Sequence, residues 1–172
     1  SDEGKRINET NERFIWVGRH AALDNSLQNK QTPYSISIIR KMASNNGYVI
    51  LDVSSEFIRS TLEGISLGKG SIVGFISKDN VETLAGSNEQ TVFSSLPYYQ
   101  EVARTGKDSG FFYDKYDNED YLFLYSKVGD TGAYVCALIP KSTILKQASE
   151  IRTISVIFTA VACIIAIAIG TL

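Results

Sequence analysis

The chain has 172 residues, of which 44% are hydrophobic and 21% charged, with a net charge of −2 at pH 7. That balance suits a folded domain with its own core and excludes a nucleic-acid-binding face, because the 17 basic residues are scattered rather than clustered against phosphates. Two cysteines and a single histidine supply neither a disulfide-stapled scaffold nor a zinc site.

The pattern predicts helix over Asn8–Leu27, within an N-terminal helical segment 1–30, from an apolar stripe of Phe14, Val17, Ala21, Leu23 and Leu27; Gly18 weakens it. A polar break ends at Pro33. Tyr34–Met42 alternates as a strand, Asn45-Asn46-Gly47 turns it, and Tyr48–Val53 returns. Ser54 is a good N-cap for a helix whose apolar face is Phe57, Ile58, Leu62 and Ile65. Ser71–Ser77 reads as a strand, Asp79-Asn80 as a turn, and Val81–Ala85 as a short return strand. Leu96–Arg104 is a short helix stopped near Gly106. Phe111–Tyr113, Tyr121–Val128 and Ala133–Ile139 are three strands separated by turn-like Asp117–Asp120 and Gly129–Gly132. Pro140 stops the last strand, and Ser142 can cap a helix through Ile144, Leu145, Ala148 and Ile151. Short turns make consecutive strands antiparallel, so the fold class is α+β.

From Thr153 to Leu172 no residue is charged. A helix of about 20 residues rises about 30 Å, the thickness of a bilayer's hydrocarbon layer. A buried core helix would keep a polar stripe, and a signal peptide would stand at the N-terminus. The reading is therefore a folded domain over 1–150 and a transmembrane helix over 151–172, in a piece of a longer chain. No Gly or Pro lies between Lys141 and Gly170, so the exit helix and the span form one rigid rod.

Four stretches carry a resemblance: Gly47-Tyr-Val-Ile-Leu-Asp-Val-Ser, Ser71-Ile-Val-Gly-Phe-Ile-Ser-Lys-Asp-Asn, Leu96-Pro-Tyr-Tyr-Gln-Glu-Val-Ala, and the run from Tyr121 to Pro140. Their order resembles the extracellular Cache domains, the PAS-like sensors of bacterial histidine kinases and chemoreceptors, over Tyr34–Leu172. The resemblance implies a PAS-like antiparallel sheet flanked by helices and an extracytoplasmic position at the cell membrane. It also implies a homodimer, with Ile144, Leu145, Ala148 and Ile151 as the seam. The implied role is sensing of a small-molecule ligand, passed to a cytoplasmic output outside this chain: a histidine kinase first, a chemoreceptor as alternative. Amino-acid-binding members carry an Arg-x-Trp-aromatic motif. Here Arg13 and Trp16 stand one residue too far apart and Val17 follows, so amino-acid binding is not carried over. A first membrane helix is not visible either.

Most of the nine tyrosines fall between Tyr98 and Tyr134. Tyr121, Phe123 and Tyr125 share one face of their strand while Leu122 and Leu124 share the other. An aromatic face bearing hydroxyls could line a pocket or form ordinary core. With Tyr99, Tyr113 and Arg104, whose guanidinium would suit a carboxylate, these are the candidate ligand-binding residues. Asp114, Asp117, Glu119 and Asp120 lack calcium-loop spacing and read as a solvated hairpin tip. His20, Asp24 and Ser26 suggest a triad only superficially, since neighbouring helical residues rarely give triad geometry. No catalytic motif appears, and the expectation is no enzyme activity, no cofactor and no metal. The alternative is a membrane-tethered interaction module that takes no small ligand. Removing Thr153–Leu172 should convert a chain that needs detergent into one that is monomeric in plain buffer by light scattering. A full-length chain already monomeric in plain buffer would overturn the membrane segment.

Overall fold

The computed structural model describes residues 14–27, 33–42, 47–86, 93–146 and Thr159. In chain order these give β1 (Phe14–Val17), α1 (Ala21–Leu27), β2 (Tyr34–Lys41), β3 (Tyr48–Ser54), α2 (Ser55–Glu63), β4 (Ile72–Ile76) and β5 (Glu82–Gly86). A 3-10 turn (Phe93–Ser95), α3 (Pro97–Thr105), β6 (Ser109–Tyr116), β7 (Glu119–Lys127) and β8 (Tyr134–Pro140) follow. Residues 141–146 begin the exit helix. Every described strand pair is antiparallel, in a three-stranded sheet β1-β2-β3 and a five-stranded sheet β5-β4-β8-β7-β6.

The α+β architecture expected from the sequence is what forms, but its N-terminal part differs. In place of a continuous helix over 8–27, Phe14–Val17 is a strand paired with β2, and helix is confined to Ala21–Leu27. The reason is the period: Ile15 and Val17 are both buried on one face, which is alternation by two, and the β-branched residues favour a strand. Residues 1–13 lie outside the described part, as do the Asn45-Asn46 turn and the charge-free run apart from Thr159. Among the described residues no helix is long and apolar enough to cross a membrane.

Local chemistry fixes the other elements. Ser54 caps α2 by accepting from Glu56 N at 3.2 Å. Of the expected apolar face only Ile58 and Leu62 point inward, while Phe57 and Ile65 are exposed. Residues 57 and 58 project about 100° apart on a helix, so both cannot face one partner. The helix α3 begins at Pro97 and closes on Gly106 in the left-handed region, whose N–H bonds Val102 O at 2.9 Å. The β6–β7 turn is tight, with Asp117 and Asn118 both at positive φ, as Asp and Asn tolerate. Ser142 falls inside the exit helix rather than capping it, because helix starts at residue 141 behind the fixed φ of Pro140.

The five-stranded sheet has two differently filled faces. On one lie Ile72 and Ile76 of β4, Phe123 and Tyr125 of β7, and Tyr134, Cys136 and Leu138 of β8, covered by Phe93, Tyr99 and Val102 of the 3-10 turn and α3. On the other lie Val73, Phe75, Ala85 and Ala137, covered by Leu62 of α2 and Ile36 of β2. The three-stranded sheet thus stacks against the second face with α2 beside it. Ile15, Val17 and Ile39 form a small core on its outer side.

The seam between the sheets is partly polar. Gly18 N donates to Asp79 Oδ2 at 2.6 Å, and the buried hydroxyl of Ser35 bonds those of Ser55 and Thr83. Gly18 leaves room for this: a Cβ there would stand 2.5 Å from Ser77 Oγ and 2.9 Å from Asp79 Oδ2. Glu82 holds the aromatic side, its carboxylate accepting from Phe93 N and Ser94 N at 2.9 Å each. Gly18→Ala should therefore destabilise the domain by about 1–3 kcal/mol through overpacking, read as a lowered urea midpoint with an unchanged slope.

Candidate functional site

Strand parity places Tyr121, Phe123 and Tyr125 on one face of β7, and α3 packs onto it. Phe123 is fully buried among Tyr98, Phe112, Phe93 and Tyr125, with ring centroids 4.8 to 6.4 Å apart. Tyr125 lies under Gly110 and edges Tyr134, which in turn edges Tyr99. Burial raises the pKa of the Tyr99 phenol, and burial pushes Tyr98 up to about 12. The Tyr98 hydroxyl is buried without a hydrogen-bond partner among the described residues. Buried Cys136 belongs to the same layer and its thiol is pushed up by burial. Tyr99, Phe123 and Tyr125 are therefore parts of a filled aromatic core.

Arg104 is turned away from that core. It is exposed on α3 and pairs with Glu101, NH2 to Oε1 at 2.8 Å. Solvent screens such an exposed pair. The other two candidates, Tyr113 and Tyr121, come together elsewhere. They line an open cleft of about 590 Å³ with Asp114, Lys115, Asp120, Lys141, Ile144 and Leu145. One wall is the β6–β7 ribbon and the other is the exit helix. Lys141 Nζ reaches Asp120 Oδ2 at 3.4 Å across it. Tyr113 is 67% and Leu145 60% exposed, so apolar surface here is accessible to a ligand. Burial and then the charge of Glu119 raise the Tyr121 phenol, which stays a neutral donor at pH 7.

Sequence reasoning missed Lys115, Lys141, Ile144 and Leu145 as cleft residues. The exit helix folds back over β6–β7 after Pro140, and no local pattern announces that return. A second, smaller cleft of about 300 Å³ lies between the end of α2 and the loop before β4, lined by Leu62, Glu63, Ile65, Ser71, Val73 and Ala85 among others. That loop is tied to the exit helix: Thr143 Oγ1 donates to Lys69 O at 2.7 Å, and Gly70, at φ 79°, lies against Pro140. The larger cleft thus includes the helix that follows Pro140, and the loop beside the smaller cleft is tied to that helix.

The imagined triad does not form: Ser26 Oγ donates to Leu23 O at 2.8 Å, and His20 lies between Asp24 and Asp52, the latter a residue of β3. Among the described residues no group of three or more His, Cys, Asp or Glu converges as a metal site.

No protein-family profile and no curated protein matches this sequence. Solved structures do match in fold. The extracellular domain of the putative histidine kinase rpHK1S-Z16 aligns with a TM-score of 0.53 at 12% identity, over 84% of this chain and 61% of that one. The ligand-binding domain of Mlp24 with asparagine aligns at 0.51 and 18% identity, over 82% and 55%. The sensory domain of the Campylobacter jejuni chemoreceptor Tlp3 aligns at 0.51 and 18% identity, over 83% and 54%. The fold is thus that of sensor domains of histidine kinases and chemoreceptors, and this chain spans a little over half the length of such neighbours.

Core and cleft should separate under mutation. Phe123→Ala should cost about 3–5 kcal/mol of stability, whereas Tyr113→Ala should stay within about 0.5 kcal/mol, by chemical denaturation.

Proposed function

We propose that this chain is the extracytoplasmic sensing domain of a transmembrane receptor. It takes a small molecule in the cleft between the β6–β7 ribbon and the exit helix, and passes the resulting shift along that helix. The output is a cytoplasmic histidine kinase, or a chemoreceptor signalling domain in the second instance. The observation that carries the reading is that Lys141, Ile144 and Leu145 of the exit helix are themselves one wall of the cleft. A ligand lodged there contacts the transmitting element directly, and only a ligand with different affinities for two helix positions can shift them. Tyr113 and Leu145 offer apolar area, Tyr121 a hydroxyl, and Lys115, Lys141, Asp114 and Asp120 charge of both signs. That lining suits a small amphipathic molecule with at least one charged group.

In this reading residues 1–150 stand outside the cell and 151–172 cross the membrane. The aromatic core of Tyr99, Phe123 and Tyr125 is the rigid floor under β7. Two such chains pair through Ile144, Leu145, Ala148 and Ile151, at near-heptad spacing. The segment performs no catalysis. A different reading, a tethered module that binds another protein, draws on the exposed Phe14, Val49 and Leu51 of the three-stranded sheet.

A thermal-shift screen of charged metabolites separates the two. A ligand at 100 times its dissociation constant should add about 2.7 kcal/mol of stability. Tyr113→Ala and Lys141→Ala should abolish that gain while leaving the unliganded melting temperature within a few degrees. If no compound stabilises the domain, the interaction module becomes the better reading. In a full-length receptor, inserting Gly-Gly after Gln147 should preserve binding and abolish signalling; unchanged signalling would remove the exit helix from the mechanism.

A further inference from the structure

His20 is the single histidine of the chain and is 2% exposed. It stands at the entry to α1, its carbonyl accepting from Leu23 N at 2.9 Å and Asp24 N at 3.1 Å. The ring lies flat on Tyr34 of β2, with centroids 4.8 Å apart and planes 19° apart. Its Nε2 is 2.8 Å from Asp52 Oδ1 on β3, and its Nδ1 is 2.9 Å from Asp24 Oδ1 on α1. The Asp52 contact is aligned as a hydrogen bond; the Asp24 contact is a close approach without that alignment.

Both carboxylates are already acceptors. Ser37 Oγ donates to Asp52 Oδ1 at 2.5 Å, and Tyr34 OH donates to Asp24 Oδ2 at 2.6 Å while accepting from His20 N at 3.0 Å. A neutral imidazole has one N–H and one lone pair. Whichever tautomer forms, the lone pair then faces a carboxylate oxygen at under 3 Å. Only the imidazolium presents a proton to both sides.

We propose that the domain has a second sensory input, the proton: His20, held between Asp52 of the three-stranded sheet and Asp24 of α1, is a latch that is closed when its ring is charged and open when its ring is neutral. This goes beyond the reading of the cleft and is independent of any small ligand. The groups that face the ring are Asp24 from α1, Tyr34 and Ser37 from β2, and Asp52 from β3. Arg19, the preceding residue, is exposed, and Asp79 of the β4–β5 turn is engaged by Gly18 N. Burial pulls the His20 pKa down, but the Asp52 hydrogen bond and the charges of Asp52 and Asp24 outweigh it and hold the pKa above the ordinary 6.5. With the folded value raised, the stabilisation is fully present below pH 6.5 and is lost as pH rises through the folded value.

Opening has a route to the rest of the molecule. The same residues that form the cradle tie α1 to the sheet, through His20, Asp24 and Tyr34. Two residues earlier, Gly18 joins the three-stranded sheet to the β4–β5 turn of the large one. A rise in pH therefore loosens α1 and the segment that spans the two sheets.

The test uses the full chain, without a histidine tag, in detergent micelles. A carbon-13-labelled histidine gives one ring resonance, and amide exchange reports the Leu23 and Asp24 N–H groups that bond His20 O. The ring should titrate with a midpoint above 6.5, and the protection of both amides should fall through that midpoint. The fall should be about tenfold for each unit by which the midpoint exceeds the ordinary value. Asp52→Asn should move the midpoint down and shrink the change in protection, and His20→Gln should make protection independent of pH. A wild-type midpoint at or below 6.5, or protection that is constant while the ring titrates, overturns the latch; that outcome needs no variant to fold.

Discussion

The last of the described strands sits in the middle of the large sheet. β8 pairs with β4 on one side and β7 on the other, and all but one of its residues are buried. It ends at Pro140, and the exit helix begins at the next residue. The segment that follows Pro140 is therefore bonded through β8 to both halves of the core. A terminal strand at a sheet edge could fray without disturbing anything else, whereas a central one moves only with its neighbours. The larger cleft follows from this placement, since the helix that begins at residue 141 lies beside the β6–β7 ribbon.

The two sides of β8 have unlike tolerances. The aromatic side is held by large interlocking rings, and packing of that kind transmits displacement rather than absorbing it. The opposite side sets three small residues, Ala85, Ala133 and Ala137, beside Val73 and Phe75, and α2 and the three-stranded sheet pack onto it. Around that contact the sheets meet through hydroxyls and one carboxylate, and these groups need specific partners once buried. The result is a joint with a defined register that owes little to bulk. Such a joint can change position by exchanging a few hydrogen bonds, which a filled aromatic core cannot do.

In the proposed function, sensing and transmission are consequently brought close together. Lys141, Ile144 and Leu145 of one cleft wall, Thr143, which bonds the loop before β4, and Pro140 all lie within a few residues of one another along the chain. The His20 cradle is different in kind: it joins α1 to the three-stranded sheet, and the proposed latch would act on the joint between sheets rather than on the exit helix. The two proposed inputs, one at the helix and one at the joint, would combine through the packed layers they share.

Much of this was legible in the sequence. Period-two alternation gave the strands from Tyr34 onward, Ser54 and Gly106 gave helix ends, and the parity of Tyr121, Phe123 and Tyr125 against Leu122 and Leu124 separated the two faces of β7. These are local signals, set by backbone geometry within a few residues. Parity could not say whether the aromatic face would be open or filled. That depended on α3 landing on it, a contact made by residues distant in the chain. Four residues, Phe14–Val17, also misled, because a stretch that short fits helical and strand periods alike until a partner strand is present. The cleft and the Asp52 partner of His20 depended on how distant strands and the exit helix come together. From Tyr34 onward the sequence by itself determined the elements, their order and the chemistry each face carries. The tertiary structure alone decided which faces are covered and which side chains meet, because long-range pairing is fixed by the joint packing of all the elements and by no local stretch of the chain.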